Sequence, residues 1–253
     1  MKRAFIRGLW GDMGGIDRGI TPRRLKVLRD IERVIGSSFP MEFVTYIFGT
    51  DNMEIFEKKG LPYVLVDKDN VRWDMITELY RHKLEILKRA MEDYDQIVYL
   101  DWDCVLTKDL PPNVWEILAQ GETCQANLFQ YRTKKCLWRN EDVRKTCNGG
   151  FIYIGDKLIP NRFIENWEEL KKWAEDLQEK RKVRGLDLRF REKSLMFDDE
   201  PSISKYIDDY CGGWPGVDVY WDKFEPKICD LRKKSAFTKE QNASKNACFR
   251  HFL

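Results

Sequence analysis

Over the first hundred residues, short apolar runs alternate with stretches of helical period. AFIRGL (4–9) is strand-like. Thr21 and Pro22 then offer an N-cap and a first-turn proline, and Leu25, Leu28, Ile31, Val34 and Ile35 keep helical spacing until Gly36 ends the helix. Residues 43–48 read as a second strand, Asp51 as the cap of a short helix closed by Gly60, and residues 63–66 as a third strand. Asp74 opens a longer helix with Ile76, Leu79, Leu84, Leu87 and Met91 on its buried side, and residues 96–100 form a fourth strand. Such alternation predicts an α/β fold with a mostly parallel central sheet flanked by helices.

Beyond residue 103 the regularity weakens. Strands are expected over 124–131 and 151–154, and helices over 163–180 and 202–210. Trp167, Leu170, Ala174 and Leu177 keep helical spacing, with the intervening charges forming a solvated face. No repeat or linker interrupts the chain. Residues 1–253 are read as one Rossmann-like domain, divided into a regular half, 1–110, and a half that elaborates a site, 111–253.

The fourth strand ends in the chain's most informative stretch, IVYLDWDCVL (97–106). Extended side chains alternate faces, so Asp101 and Asp103 are expected on one face with Trp102 opposite. Hard divalent cations take carboxylate oxygens and leave positions open for phosphates, so Mn²⁺ or Mg²⁺ holding a phosphate ligand is the chemistry this pair suggests. The bland alternative is two surface acids after an edge strand. Ligands of open α/β sheets bind beyond the carboxyl ends of the strands, where this pair would sit if the strand is central.

Composition narrows the classes. Among 253 residues, 44 basic and 42 acidic side chains leave a net charge of +2, so nothing in the charge balance points to nucleic acid or an anionic membrane. Seven cysteines without a CxxC pair suit a reducing compartment. Arg7 and Gly8 break the first apolar run, so no signal peptide is expected, and no run approaches the roughly 20 residues of a membrane span. The expectation is a soluble, cytoplasmic protein, for which the sequon Asn242-Ala-Ser244 has no meaning.

HKLEILKRAMEDYDQIVYLDWDCVLTKDLP (82–111), CNGGFIYIG (147–155), FDDEPSIS (197–204) and FRHFL (249–253) together resemble nucleotide-sugar glycosyltransferases of the GT-A fold with a DxD motif, in particular the glycogenin-like and mannosyl-transferring group. The chain is similar also to glycosyltransferases of large algal viruses. The resemblance implies that Asp101 contacts the ribose or the metal, that Asp103 ligates Mn²⁺ or Mg²⁺ on the diphosphate, and that His251 is a third ligand carried by an ordered tail. It puts His82 and Lys83, from the basic trio that begins at Arg81, toward the diphosphate. Leu9, Trp10, Asp67 and Trp102 would lie near the base and ribose, and Asn148, Gly149 and Gly150 would form a donor-sugar or acceptor wall. A partner set follows: a nucleoside diphosphate sugar, foremost a UDP-sugar, and a glycan or glycoprotein acceptor.

In inverting relatives an acid at the place of Asp199, with Asp198 as the fallback, is the base that deprotonates the acceptor hydroxyl. Retaining glycogenin-like enzymes read Asp-Gln-Asp there, and Asp199 stands at the glutamine position. An acidic helix N-terminus is the structural alternative. Two other functions remain open. VYLDWDCVL also resembles the nucleophile motif of haloacid-dehalogenase-type phosphatases, which would make Asp101 a phosphorylated nucleophile. A noncatalytic sugar- or nucleotide-binding module would suit the 13% aromatic content.

Overall fold

A computed structural model describes residues 1–10, 29, 42–69, 80–101, 104–106, 110–119, 124–135, 142–185, 199–210, 229–230 and 249–251; for 105–106, 125–135, 142–148, 208, 210, 229–230 and 249–251 only the backbone is described. Strands β1 (Arg3–Leu9), β2 (Glu42–Phe48), β3 (Val64–Asp67), β4 (Gln96–Leu100), β6 (Cys124–Lys135) and β7 (Asp142–Ile154) form one sheet in the order β3-β2-β1-β4-β7-β6. The first four run parallel; β7 is antiparallel to β4, and β6 to β7. A second sheet pairs β5 (Cys104–Leu106) with β9 (Phe249–His251), and β9 with β8 (Cys229–Asp230). The helices are α1 (Thr50–Lys59), α2 (Arg81–Asp93), α3 (Val114–Leu118), α4 (Ile159–Lys182) and α5 (Glu200–Tyr210).

Alternation along β1 and β4 builds two layers. Ala4, Ile6, Ile97 and Tyr99 meet Leu84, Leu87 and Met91 of α2, Phe163 and Trp167 of α4, and Ile203 and Ile207 of α5. On the opposite face Phe5, Val98 and Leu100 pack on Trp115 and Leu118 of α3, while Leu9 and Ile47 pack on Phe56 of α1. Each such fully buried side chain contributes about 1.5–3 kcal/mol of transfer free energy. The sheet is thus covered on both faces, as its apolar strands require.

Strand β4 falls on its expected residues, and β1, β2, β3, α4 and α5 within a few. Gly60 adopts the left-handed conformation (φ 64°) that ends α1. The cap expected at Asp51 is instead the backbone of Gly49, and Asp51 lies in the first turn, where its charge still favours the helix dipole. Both β6 and β7 run well past their expected apolar cores, because pairing with each other continues the ladder through polar residues. The short elements β5, α3, β8 and β9 had no periodic signal. The helix expected from Thr21 to Gly36 lies outside the described residues apart from helical Arg29, as does the expected helix start from Asp74 to Leu79.

Candidate functional site

From β1 the chain moves outward through β2 to β3, then returns to β4 on the other side of β1. The carboxyl ends of β1 and β4 therefore flank a topological switch point, where an open α/β sheet leaves a crevice. Asp101 follows β4 directly and is a quarter exposed. Its N–H donates to Gly150 O at 2.9 Å, and its carbonyl accepts from the Cys104 N–H at 3.0 Å. Strand β4 ends at Leu100, and the shared face expected for Asp101 and Asp103 concerns a residue outside the described ones. Trp102 and Asp103 lie outside the described residues.

Lys83 holds this corner together. It lies three residues before Ile86 and four before Leu87, on the buried face of α2. Its Nζ is 3.0 Å from Asp101 Oδ1, 2.9 Å from Asp199 Oδ2 and 3.2 Å from Gly149 O, to which it donates. The ring of Tyr99 lies beneath it, 5.2 Å from centroid to Nζ. Burial pushes the Lys83 ammonium toward deprotonation, but the charges of Asp101 and Asp199 outweigh it and hold its pKa well above the ordinary lysine value. For the Tyr99 phenol burial acts in the opposite sense: reinforced by the Asp101 charge, it raises the pKa and keeps the group protonated.

Gly149 is what allows the three groups to meet. A Cβ there would stand 2.5 Å from Asp199 Oδ2 and 2.9 Å from Lys83 Nζ, closer than any real Cβ contact. The Gly149 N–H donates to Glu200 Oε1 at 3.2 Å, which ties β7 to the first turn of α5. The Asp199 carbonyl accepts from the N–H groups of Ser202 and Ile203 and from the Ser202 hydroxyl, so this residue also starts α5.

The other expected residues separate into those that face the crevice end and those that do not. His82, beside Lys83, stacks on Phe48 at the end of β2 with ring centroids 4.8 Å apart. Trp10, half-buried just past β1, packs against the α2-side core. Asp67 is exposed at the end of β3, and its Oδ1 accepts from the Asp69 N–H. Leu9 is buried with Ile47 and Phe56, so its side chain belongs to the core. Gly150 is buried beside Asp101. Asn148 and His251 are described by backbone alone; the register pairs Cys104 with His251, one residue after Asp103. Asp198 lies outside the described residues.

Asp199 is only 2% exposed and faces Lys83. The carboxylate expected to act as a base is thus held by the Lys83 ammonium in this structure. Tyr99 and the Glu200 contact with Gly149 carry no signal in the sequence, whereas Arg7 does: a charge at an inward position of β1, between Phe5 and Leu9.

Among the described residues no group of three or more His, Cys, Asp or Glu side chains forms a metal cluster. Of the expected ligand set, Asp101 is the one whose side chain is described. The donor types, two carboxylates and one imidazole, suit Mn²⁺ or Mg²⁺, and the β5–β9 register pairs His251 with Cys104, three residues after Asp101.

No protein-family model matches the chain, and no curated protein matches it. Solved structures do. Mouse xyloside xylosyltransferase 1 in its apo form aligns with a TM-score of 0.51 at 10% identity, over 99% of this chain and 97% of that one. The fold is of the GT-A type. A glycosyltransferase involved in glycosylation of the major capsid of PBCV-1 aligns at 0.41 and 11% identity, over 99% of this chain and 92% of that one. The glycosyltransferase GlyE of Streptococcus pneumoniae TIGR4 aligns at 0.37 and 16%, over 79% of this chain and 44% of that one. At 10% identity the likeness to the xylosyltransferase is one of fold. In this GT-A fold the Lys83 cluster occupies the switch-point crevice, and no helix among the described residues is long and apolar enough to cross a membrane.

Proposed function

We propose that this chain is a metal-dependent glycosyltransferase that moves a sugar from a nucleoside diphosphate sugar, with a UDP-sugar as the first donor to test, onto a hydroxyl of a glycan or glycoprotein. The observation that carries the proposal is the meeting of Lys83, Asp101, Gly149 and Asp199, from four separate elements, at the carboxyl end of β4. A metal-bound phosphate at this crevice would meet Asp101, the one quarter-exposed carboxylate of the cluster, which the buried Lys83 ammonium holds in place. Asp101, Asp103 and His251 are the residues that would hold Mn²⁺ or Mg²⁺, whose charge offsets the negative charge of the departing diphosphate.

Asp199 serves this site through Lys83, as an anchor of its ammonium. Phe48, His82, Trp10 and Asp67 border the nucleotide side at the ends of β1, β2 and β3, and Asn148 to Gly150 border the sugar side. The phosphatase alternative sits poorly with this topology, since its nucleophile motif normally follows the first strand of its domain and Asp101 follows the fourth.

A thermal-shift screen of nucleotide-sugars with and without Mn²⁺ tests the proposal. Ligand at about 100 times its Kd stabilises the native state by about 2.7 kcal/mol, a shift of several degrees for a chain of this size. A Mn²⁺-dependent shift with a UDP-sugar, accompanied by slow release of UDP, is expected. No shift with any nucleotide-sugar, together with phosphate release from a simple phosphomonoester, would overturn it in favour of the phosphatase; binding without turnover would point to a noncatalytic module.

A further inference from the structure

Helix α4 is longer than its packing requires. It starts by the amino ends of the strands, where Lys157 pairs with Asp95 at 3.4 Å and the Asp95 N–H donates to Lys2 O. Glu168 then meets Arg81, the first residue of α2 and two before Lys83, at 3.3 Å. The helix therefore runs toward the crevice end of the sheet, and from Glu168 to Lys182 it continues for about 20 Å at about 1.5 Å per residue. Beyond Ala174 none of its residues is buried, and only Leu177 and Arg181 are half-buried. In its first half Arg162 pairs with Glu165, and Glu169 with Lys205, whereas Lys180, Lys182 and the following Arg184 join no ion pair among the described residues.

The end of this extension is well formed. The Val183 N–H donates to Glu179 O at 3.1 Å, those of Arg184 and Gly185 donate to Arg181 O and Lys182 O at 2.9 Å, and Gly185 takes the left-handed conformation (φ 67°). Val183 is 87% exposed, more than any other large hydrophobic side chain described. Residues 180–185 carry four basic side chains and no acidic one, a local excess that the net charge of +2 over the whole chain conceals. Cations in a last turn complement the helix dipole, but an exposed valine among them contributes nothing to that.

We infer that this helix end is a docking surface for an anionic lipid bilayer, with the cations at the headgroups and Val183 entering between them. An apolar side chain among cations suits a surface that is anionic outside and apolar beneath. An acidic protein is the poorer fit, because a stable protein interface takes about 20–30 residues a side, and this helix end offers residues 180–185. A bilayer needs no such area, since each Lys or Arg close to anionic lipid strengthens binding about fivefold. Docking through α4 would set the crevice end of the sheet toward the lipid. Within the proposed transferase reading, on which this corollary rests, an acceptor carried on the bilayer would then be presented to the crevice.

The test sediments the full chain, without donor or metal, with vesicles of phosphatidylcholine alone and of phosphatidylcholine mixed with phosphatidylserine. Binding is expected to the mixed vesicles only, and raised NaCl should release it by screening the headgroup charge. The triple variant Lys180→Gln, Lys182→Gln, Arg184→Gln should bind about 100-fold more weakly, with an unchanged melting temperature because all three sites are exposed. Val183→Ser should weaken binding several-fold and keep the salt dependence. No binding of the wild type to the mixed vesicles, binding that salt leaves intact, or wild-type binding by either variant would overturn the inference; a wild type that binds soluble polyglutamate and not vesicles would overturn it in favour of an acidic protein. Should the triple variant fail to fold, Lys182→Gln alone decides, with a loss of about fivefold expected and none overturning the inference. Because no donor is present, failure here leaves the transferase reading standing, and a chain that binds vesicles yet transfers no sugar overturns that reading alone.

Discussion

Lys83 Nζ lies 2.9 Å from Asp199 Oδ2, and this ion pair joins the helix before the fourth strand to the start of a helix far along the chain. Both side chains are nearly inaccessible, 3% and 2% exposed, and Asp101 completes the cluster at the crevice edge. Removing one member leaves the charges of the others buried without compensation. Lys83→Met is therefore expected to destabilise the fold by about 3–5 kcal/mol, read from urea unfolding midpoints; a loss below about 1 kcal/mol would show that the cluster is solvated.

The same pair sets a pH dependence. The folded-state pKa of Lys83 is raised above its unfolded value, so its stabilisation is fully present below that value and is lost as pH climbs through the higher folded one. The stability difference between wild type and Lys83→Met should stay constant between about pH 6 and 9 and shrink only above about pH 10. Unfolding midpoints across a pH series check this, and a difference that already collapses near neutrality would contradict the charged, ion-paired state.

Asp199→Asn separates an anchor from a base. As an anchor of Lys83 it should slow sugar transfer by about 10- to 100-fold, and its effect should be far from additive with that of Lys83→Met. An independent acceptor base would cost about 10²–10⁴ and add to the lysine's effect. Proton NMR of the first-formed product gives a second reading, since a base at Asp199 requires an inverted anomer.

Gly149→Ala places a methyl group between Asp199 Oδ2 and Lys83 Nζ. The expected cost is about 1–3 kcal/mol of stability, with donor binding lost as the ammonium is displaced. Calorimetry with UDP on the folded variant checks it; wild-type affinity would mean that β7 moves aside without disturbing Lys83.

At the metal side, Asp103→Asn should abolish Mn²⁺-dependent UDP binding while leaving the melting temperature unchanged. Deleting Arg250 to Leu253 should weaken the same binding, because it removes His251 and most of β9. Titration calorimetry with and without Mn²⁺ distinguishes these outcomes, and a truncated chain that binds UDP normally would reduce His251 to a tail residue.

The sequence by itself determined the layered α/β architecture, because strand and helix periods are local: Ala4 and Ile6 alternate with Phe5 and Leu9, and Leu84, Leu87 and Met91 recur at helical spacing whatever they pack against. It also marked Asp101 as the end of a strand, and Gly149 and Asp199 as residues wanting a role. What it carried no signal for was the partner of each charge. Lys83 reads as one of three basic residues in a row, and only the packing of α2 on β4 turns it inward while its neighbour His82 turns to Phe48. Arg7 reads as an interruption in an apolar run until the turn after β4 brings a carbonyl to it. The β5–β9 pairing joins segments far apart in the sequence, 104–106 and 249–251, through backbone hydrogen bonds that no side-chain pattern encodes. Tertiary structure decided these contacts because a buried charge takes whichever counter-charge or carbonyl the fold brings within reach, and that proximity depends on the order of strands in the sheet rather than on any local spacing.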